Sequence, residues 1–248
     1  MIATTRTTLI ELLIELLTIL HAAPLLADTK SADELIPFAA MTESNRALVR
    51  GVTDHYTLRR EYGAREFHAR VEQFTWLMDH IEACSVLAQS LGYIRYRAAR
   101  DDKGRVFADN REGASGFLMQ VAATDSKRAY FVEGSQRGLL TVRGRGVAVV
   151  DFAQTNADTI EYTGALFVKV DNIVLAALAQ LFSVFVHRTV DHHFEHLLKH
   201  PVAVSTMALT NTPALLERIQ VVPSEERALV EPFAELLRRQ TNAAGAAR

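Results

Sequence analysis

The chain has 248 residues, 49% of them apolar, with 27 basic against 29 acidic side chains. That length supports a substantial core in one large domain, or in a domain with extensions. A net charge of −2 offers no long-range field to recruit nucleic acid, and a single cysteine, Cys84, excludes an internal disulfide and any multi-cysteine zinc site.

Residues 9–20 read LIELLIELLTIL, and at helical spacing Thr8, Glu11, Glu15 and Thr18 form one narrow polar stripe. Two readings stay open for this segment. As an export signal or anchor it has Arg6 before the apolar run and Ala27 at a possible cleavage site. Leu25 fits the minus-three position badly, and a carboxylate in a bilayer costs on the order of 2–3 kcal/mol. As an amphipathic helix, residues 8–27 dock on a membrane surface, a protein partner or the protein itself. The expected location follows the choice: cytoplasmic or membrane-associated, or exported to the periplasm.

Residues 1–52 are read as this leucine-rich helix plus a connector, in which Ser31 and Glu34 form a capping box. Residues 53–92 hold a short extended piece and then a helix through Phe74, Leu77, Met78, Ile81, Val86, Leu87 and Leu91, stopped by Gly92. Cys84 falls on that helix as a packed apolar residue. From Tyr93 to Val170, turn signals at 101–104, 112–113, 125–127 and 156–158 separate about six antiparallel strands. In the last of them Ile160, Tyr162, Gly164, Leu166 and Val168 share a face. A long helix follows, over 172–200, ended by Pro201. Residues 201–248 form a helical extension broken by Pro223, with a frayed TNAAGAAR tail.

This order resembles the START-like, polyketide-cyclase-type helix-grip superfamily over residues 55–200. The local match is EFHARVEQFTWLMDHIEACSVLA, with Val71, Phe74, Leu77, Asp79 and His80 on a V-x-x-F-x-x-L-x-D-H pattern, followed by the strand-to-helix join LFVKVDNIVLAALAQLF. The resemblance implies an α+β fold in residues 53–200: a curved antiparallel sheet grips a long C-terminal helix, with an apolar cavity between them. It implies no catalytic residue, because such folds host binders, cyclases and transfer proteins alike.

The long helix is apolar almost all round through Ile173, Leu175, Leu178, Leu181, Phe182, Phe185 and Val186, which predicts burial on most sides. Farther on, Val190, Phe194, Leu197 and Leu198 narrow to one stripe. His187 lies within about 60° of Val190, so it reads as an inward histidine bonded to Asp191, or as the polar anchor of a pocket. His192, His196 and His200 repeat at i, i+4, i+8, without an HExxH order; they read as a solvated cluster complementing the helix dipole, and no metal site is predicted.

Glycines 134, 138, 144 and 146 predict bulges or sharp bends in the sheet. Arg143 and Arg145 share a face: they form an anion clamp if it is concave, and ordinary surface ion pairs with Glu133 or Asp151 if it is convex. Ser115 and Ser135 sit in no nucleophile elbow.

The expected function is non-catalytic binding or transfer of a hydrophobic small molecule such as a lipid, isoprenoid or polyketide. Candidate contacts are His187, Arg143, Arg145, Leu178, Phe182, Phe185 and Tyr162. No cofactor is expected. The alternatives are a cyclase or hydratase using His187, a histidine-metal enzyme, or a cavity-less scaffold docking through its N-terminal helix.

Overall fold

The computed structural model describes residues 30–93, 97–109, 111, 113–137, 141–172 and 183–246; for 183–190, 192, 193, 196 and 244–246 it describes the backbone alone. The readings placed on residues 8–27, on Leu178 and Phe182, and on Gly138 lie outside the described residues. The chain divides into two units, Met1–Glu34 and Leu35–Arg248. In the first, the amide of Ser31 donates to Glu34 Oε2 (2.6 Å), and the Glu34 amide donates to Ser31 Oγ (3.3 Å), the expected capping box. It opens a short helix, α1 (Ala32–Leu35).

In the second unit, α2 (Glu43–Thr53) begins where Thr42 Oγ1 accepts from the Asn45 amide. Strand β1 (Leu58–His68) is followed by α3 (Val71–Asp79) and α4 (Ile81–Ser90). The sequence predicts one helix here. The structure breaks it at His80 (φ −126, ψ 64), whose ring stacks on Trp76 at 4.2 Å and whose Nδ1 lies 2.8 Å from the Trp76 carbonyl oxygen. Six strands then meander: β2 (Arg97–Arg100), β3 (Val106–Asp109), β4 (Ala114–Ala123), β5 (Lys127–Gln136), β6 (Val142–Asn156) and β7 (Thr159–Val170).

All pairings are antiparallel, in the order β1-β7-β6-β5-β4-β3-β2. The chain therefore lays β1 down first and closes the sheet by returning β7 beside it. The long helix α5 (Ser183–Thr210), then α6 (Thr212–Gln220) and α7 (Ser224–Ala246) complete the chain. A seven-stranded antiparallel sheet with two helices after β1 and a long helix after β7 is the α+β helix-grip layout that the sequence predicts.

Two corrections concern the ends. Pro201 does not terminate α5, which runs on to Thr210. A mid-helix proline loses one backbone hydrogen bond and clashes with the preceding turn, at a cost of about 3 kcal/mol. Burial on both sides offsets it, because Phe194 and Leu198 before it and Val204 and Ala208 after it are all at most 3% exposed. The tail also continues as α7 to Ala246 instead of fraying. Pro223 does break the extension, immediately ahead of α7.

The sheet has apolar material on both faces. On one, Tyr130, Ala148, Val150, Phe152 and Ile160 pack with Phe74 and Met78 of α3 and Phe194 and Leu198 of α5; we call this the inner face. Beyond α3 and α4, a second apolar cluster joins Leu77, Cys84 and Leu87 to Val204, Leu215, Ile219, Phe233 and Leu237. The C-terminal extension thus completes a helical layer. Cys84 is buried there and desolvation pushes its thiol pKa up, so it packs as an inert apolar group.

On the outer face, α2 contacts β6 and β7 and buries Val49 and Val52. Asn45 Nδ2 donates to the Val121 carbonyl (3.2 Å) and Lys169 Nζ donates to that of Gly51 (2.8 Å), fixing the helix at both ends.

Gly134, Gly144 and Gly146 do not make bulges. Register shifts occur at Tyr62/Arg65, Gln120/Ala122 and Gln154/Asn156, whereas β5 and β6 pair without interruption through Gly134 and Gly144. Instead, Gly116, Gly134 and Gly144 stand opposite one another on three adjacent strands. A Cβ at each would lie 2.5, 2.7 and 2.8 Å from a carbonyl oxygen of the next strand. These positions form one crease, where adjacent backbones approach too closely for a side chain.

Candidate functional site: the inner face and the helix that crosses it

Helix α5 is seated on β1 and β7 by three contacts. Asp191 accepts from Arg60 Nε (3.0 Å) and Nη2 (2.8 Å), and from the Tyr62 hydroxyl (3.0 Å). The Tyr62 ring lies parallel to that of Phe194, with centroids 4.0 Å apart. Under Phe194 is Gly164, where a Cβ would come within 2.3 Å of the ring. One turn on, Arg65 reaches Glu195 at 3.0 Å across the exposed rim. The bulge at Tyr62/Arg65 puts Tyr62 and Arg65 on the same face, so both reach α5.

Desolvation raises the Tyr62 phenol pKa above its ordinary value, reinforced by its hydrogen bond to Asp191. It therefore remains a neutral donor throughout the physiological range. The Asp191 hydrogen bond also raises the Arg60 guanidinium pKa.

The sequence assigns Asp191 to His187, whose side chain lies outside the described residues; in the structure Asp191 accepts from Arg60 and Tyr62 of β1, 131 and 129 positions away. Nothing local in the sequence signals that pairing, beyond a charged residue on an otherwise apolar face. For His187 and Phe185 the helical backbone is as expected. Phe194 and Leu198 are buried, as their stripe predicts. His200 corrects a reading: it is 1% exposed and lies mid-helix, so it neither meets solvent nor caps a helix terminus. Among the described residues no cluster of His, Cys, Asp and Glu could hold a metal.

Tyr162 is on the inner face, half-buried, its ring 5.8 Å from that of Phe67. Away from the α5 seat toward the crease, that face presents Leu118, Val132, Leu166, Val168 and Val170, all partly exposed. Leu166 and Val132 flank Gly146, each 4.0 Å from where its Cβ would stand. This wall can take apolar contact; Arg60, cross-strand from Leu166, borders it with its guanidinium held by Asp191.

Arg143 and Arg145 belong to the other face, since they alternate with Ala148, Val150 and Phe152 of the inner one. Arg145 is paired with Asp171, at 2.8 and 3.2 Å, and Arg143 is exposed. The structure thus separates Tyr162 from the two arginines by the thickness of the sheet. Beside Arg145 lies a cleft of about 420 Å³, lined by Ala47, Leu48, Gly51, Phe131, Glu133 and Asp171.

Asp79 and His80, which carry the resemblance, make a structural joint. Asp79 accepts from Arg128 Nε (2.6 Å) and Nη2 (3.0 Å) and from Gln120 Nε2 (2.9 Å). Arg128 is 5% exposed and also donates to the carbonyls of Thr124 and Lys127. Glu82 at the start of α4 is held by Arg100, at 2.8 Å through both oxygens. These pairs clamp the break between α3 and α4 to the sheet.

No protein-family model matches the sequence, and no curated protein matches it. Solved structures with a similar arrangement exist. A conserved protein from Geobacillus kaustophilus is 16% identical, over 59% of this chain and 95% of its own, at TM-score 0.43. Truncated norcoclaurine synthase from Thalictrum flavum is 11% identical, over 62% and 95%, at 0.40. A START superfamily protein from Mycobacterium smegmatis is 14% identical, over 56% and 98%, at 0.33. All three scores lie below 0.5, so the fold assignment stands on this chain's own strand order and helix placement.

Proposed function

We propose that the protein binds a hydrophobic small molecule against the inner face of its sheet, with the long helix as the opposing wall, and does no chemistry on it. The observation that carries this reading is the aliphatic wall of Leu118, Val132, Leu166 and Val168, which stays half-buried while Tyr130, Ala148, Val150, Phe152 and Ile160 on the same face are buried. Half-buried aliphatic side chains on a curved face match an apolar ligand, and a lipid, isoprenoid or polyketide skeleton is the class they favour. From the sequence, Leu178, Phe182, Phe185 and His187 are the helix residues expected to face it.

The carboxylates support the non-catalytic half of the reading. Asp79, Glu82, Asp171 and Asp191 are each engaged by an arginine. Native mass spectrometry of gently purified protein, with organic extraction, tests the proposal. The expected result is an apolar adduct near one per chain, lost in Leu166→Trp. A bare mass that takes up no added apolar ligand would favour a solid scaffold instead.

A further inference from the structure

The outer-face cleft has features that the inner-face reading does not use. Its volume is about 420 Å³, and Leu48 on its rim is 43% exposed. Among the described residues no side chain pairs with Glu133: its cross-strand neighbour Arg145 turns to Asp171 instead. The lining therefore holds two carboxylates and one guanidinium beside an apolar wall of Leu48 and Phe131, with the Lys169 ammonium at its edge engaged by the Gly51 carbonyl and not by Glu133. On the other side of Glu133 its cross-strand neighbour is Phe117, next to the 40%-exposed Phe107. The Phe117 ring already carries the Arg105 guanidinium at 4.3 Å, so these aromatics accept cations.

Gly51 supplies the second observation. It lies inside α2, where glycine costs about 1 kcal/mol relative to alanine. No protein atom comes within 4 Å of where its Cβ would stand, so packing does not call for glycine there. Its effect is to keep the cleft wall clear between Leu48 and Asp171.

From these observations we infer a second binding site, independent of the inner face, for a small organic cation: an ammonium group on an aliphatic or aromatic body. The ammonium sits at the Glu133 carboxylate, and the body lies along Leu48, Phe131 and the space above Gly51.

The test is titration of the full chain with n-hexylammonium, n-hexanol and hexanoate, followed by NMR. The ammonium is expected to saturate, with shifts centred on Leu48, Glu133 and Arg145. The alcohol and the carboxylate should leave those signals unmoved. Glu133→Gln should weaken ammonium binding about tenfold, the loss of one charge-assisted contact. Gly51→Leu should abolish it while holding or raising the melting temperature, because leucine favours the helix and fills the cleft. The inference is overturned if hexanol binds the cleft as well as the amine does. It is equally overturned if the ammonium never saturates, or if Glu133→Gln and Gly51→Leu bind it like the parent protein.

Discussion

Two Asp–Arg pairs fasten helices to the same sheet, and they differ in depth. Arg128 is buried and gives Asp79 two nitrogens, with Gln120 completing the carboxylate. Arg60 also gives Asp191 two nitrogens, with Tyr62 in the place of Gln120; the two carboxylates are equally exposed, at 31% and 30%, but the arginine side chains differ, 6% for Arg128 against 37% for Arg60. Geometry alone would rank them equal. The cost of leaving a charge unpaired depends on whether water can reach it. The first pair is thus a fixed joint, whereas the second holds α5 by a contact that solvent can partly replace.

Breaking each pair exposes the contrast. Asp79→Ala leaves the Arg128 guanidinium charged in the interior and should cost about 3 kcal/mol in urea unfolding. Asp191→Asn keeps an acceptor at a screened site and should cost about 1 kcal/mol or less. If the two losses prove equal, depth is not what distinguishes the pairs.

Between these in size lies the apolar part of the α5 seat. Gly164→Val places methyl groups where the Phe194 ring rests and should destabilise by about 2 kcal/mol, by overpacking. Since the helix must lift to relieve it, ligand retention should fall with stability. A variant of unchanged melting temperature would show that the ring has room to move.

The smallest effect is a pH dependence. Because the Tyr62 pKa is raised in the folded protein, the native state holds that proton after the unfolded chain has released it. The contribution is complete below about pH 10, the ordinary phenol value, and is lost as pH rises above it. Tyr130, buried and hydrogen-bonded to the Met78 carbonyl at 2.8 Å, adds a slope of the same sign. Tyr62→Phe should therefore flatten the alkaline fall in melting temperature without removing it. An unchanged alkaline slope would remove Tyr62 from the account.

What the sequence makes legible follows the range of the interaction. The Ser31–Glu34 box, the six strands from Arg97 to Val170, the alternation from Ile160 to Val168 and the Phe194–Leu198 stripe all depend on neighbours within a few residues, and all are present. The break at His80 and the continuity through Pro201 depend on packing from elsewhere in the chain, and both run against the local pattern. The partners of Asp191 and Asp79 come from 131 and 49 positions away, beyond any periodicity. Arg143 and Arg145 are read correctly as sharing a face; which face it is becomes evident only once Phe152 and Val150 are found under Phe194.

The crease of Gly116, Gly134 and Gly144 bears on how such a chain can change over generations. Each position excludes a side chain because of the backbone beside it, and two of those backbones belong to the other glycines' strands. The first substitution must push two strands apart and so loosens the constraint on the next, which makes the costs less than additive. A lineage that loses Gly116 or Gly134 is therefore freer to lose the other, and those two are expected to be inherited or abandoned together, whereas Gly144 answers to Lys169 of β7.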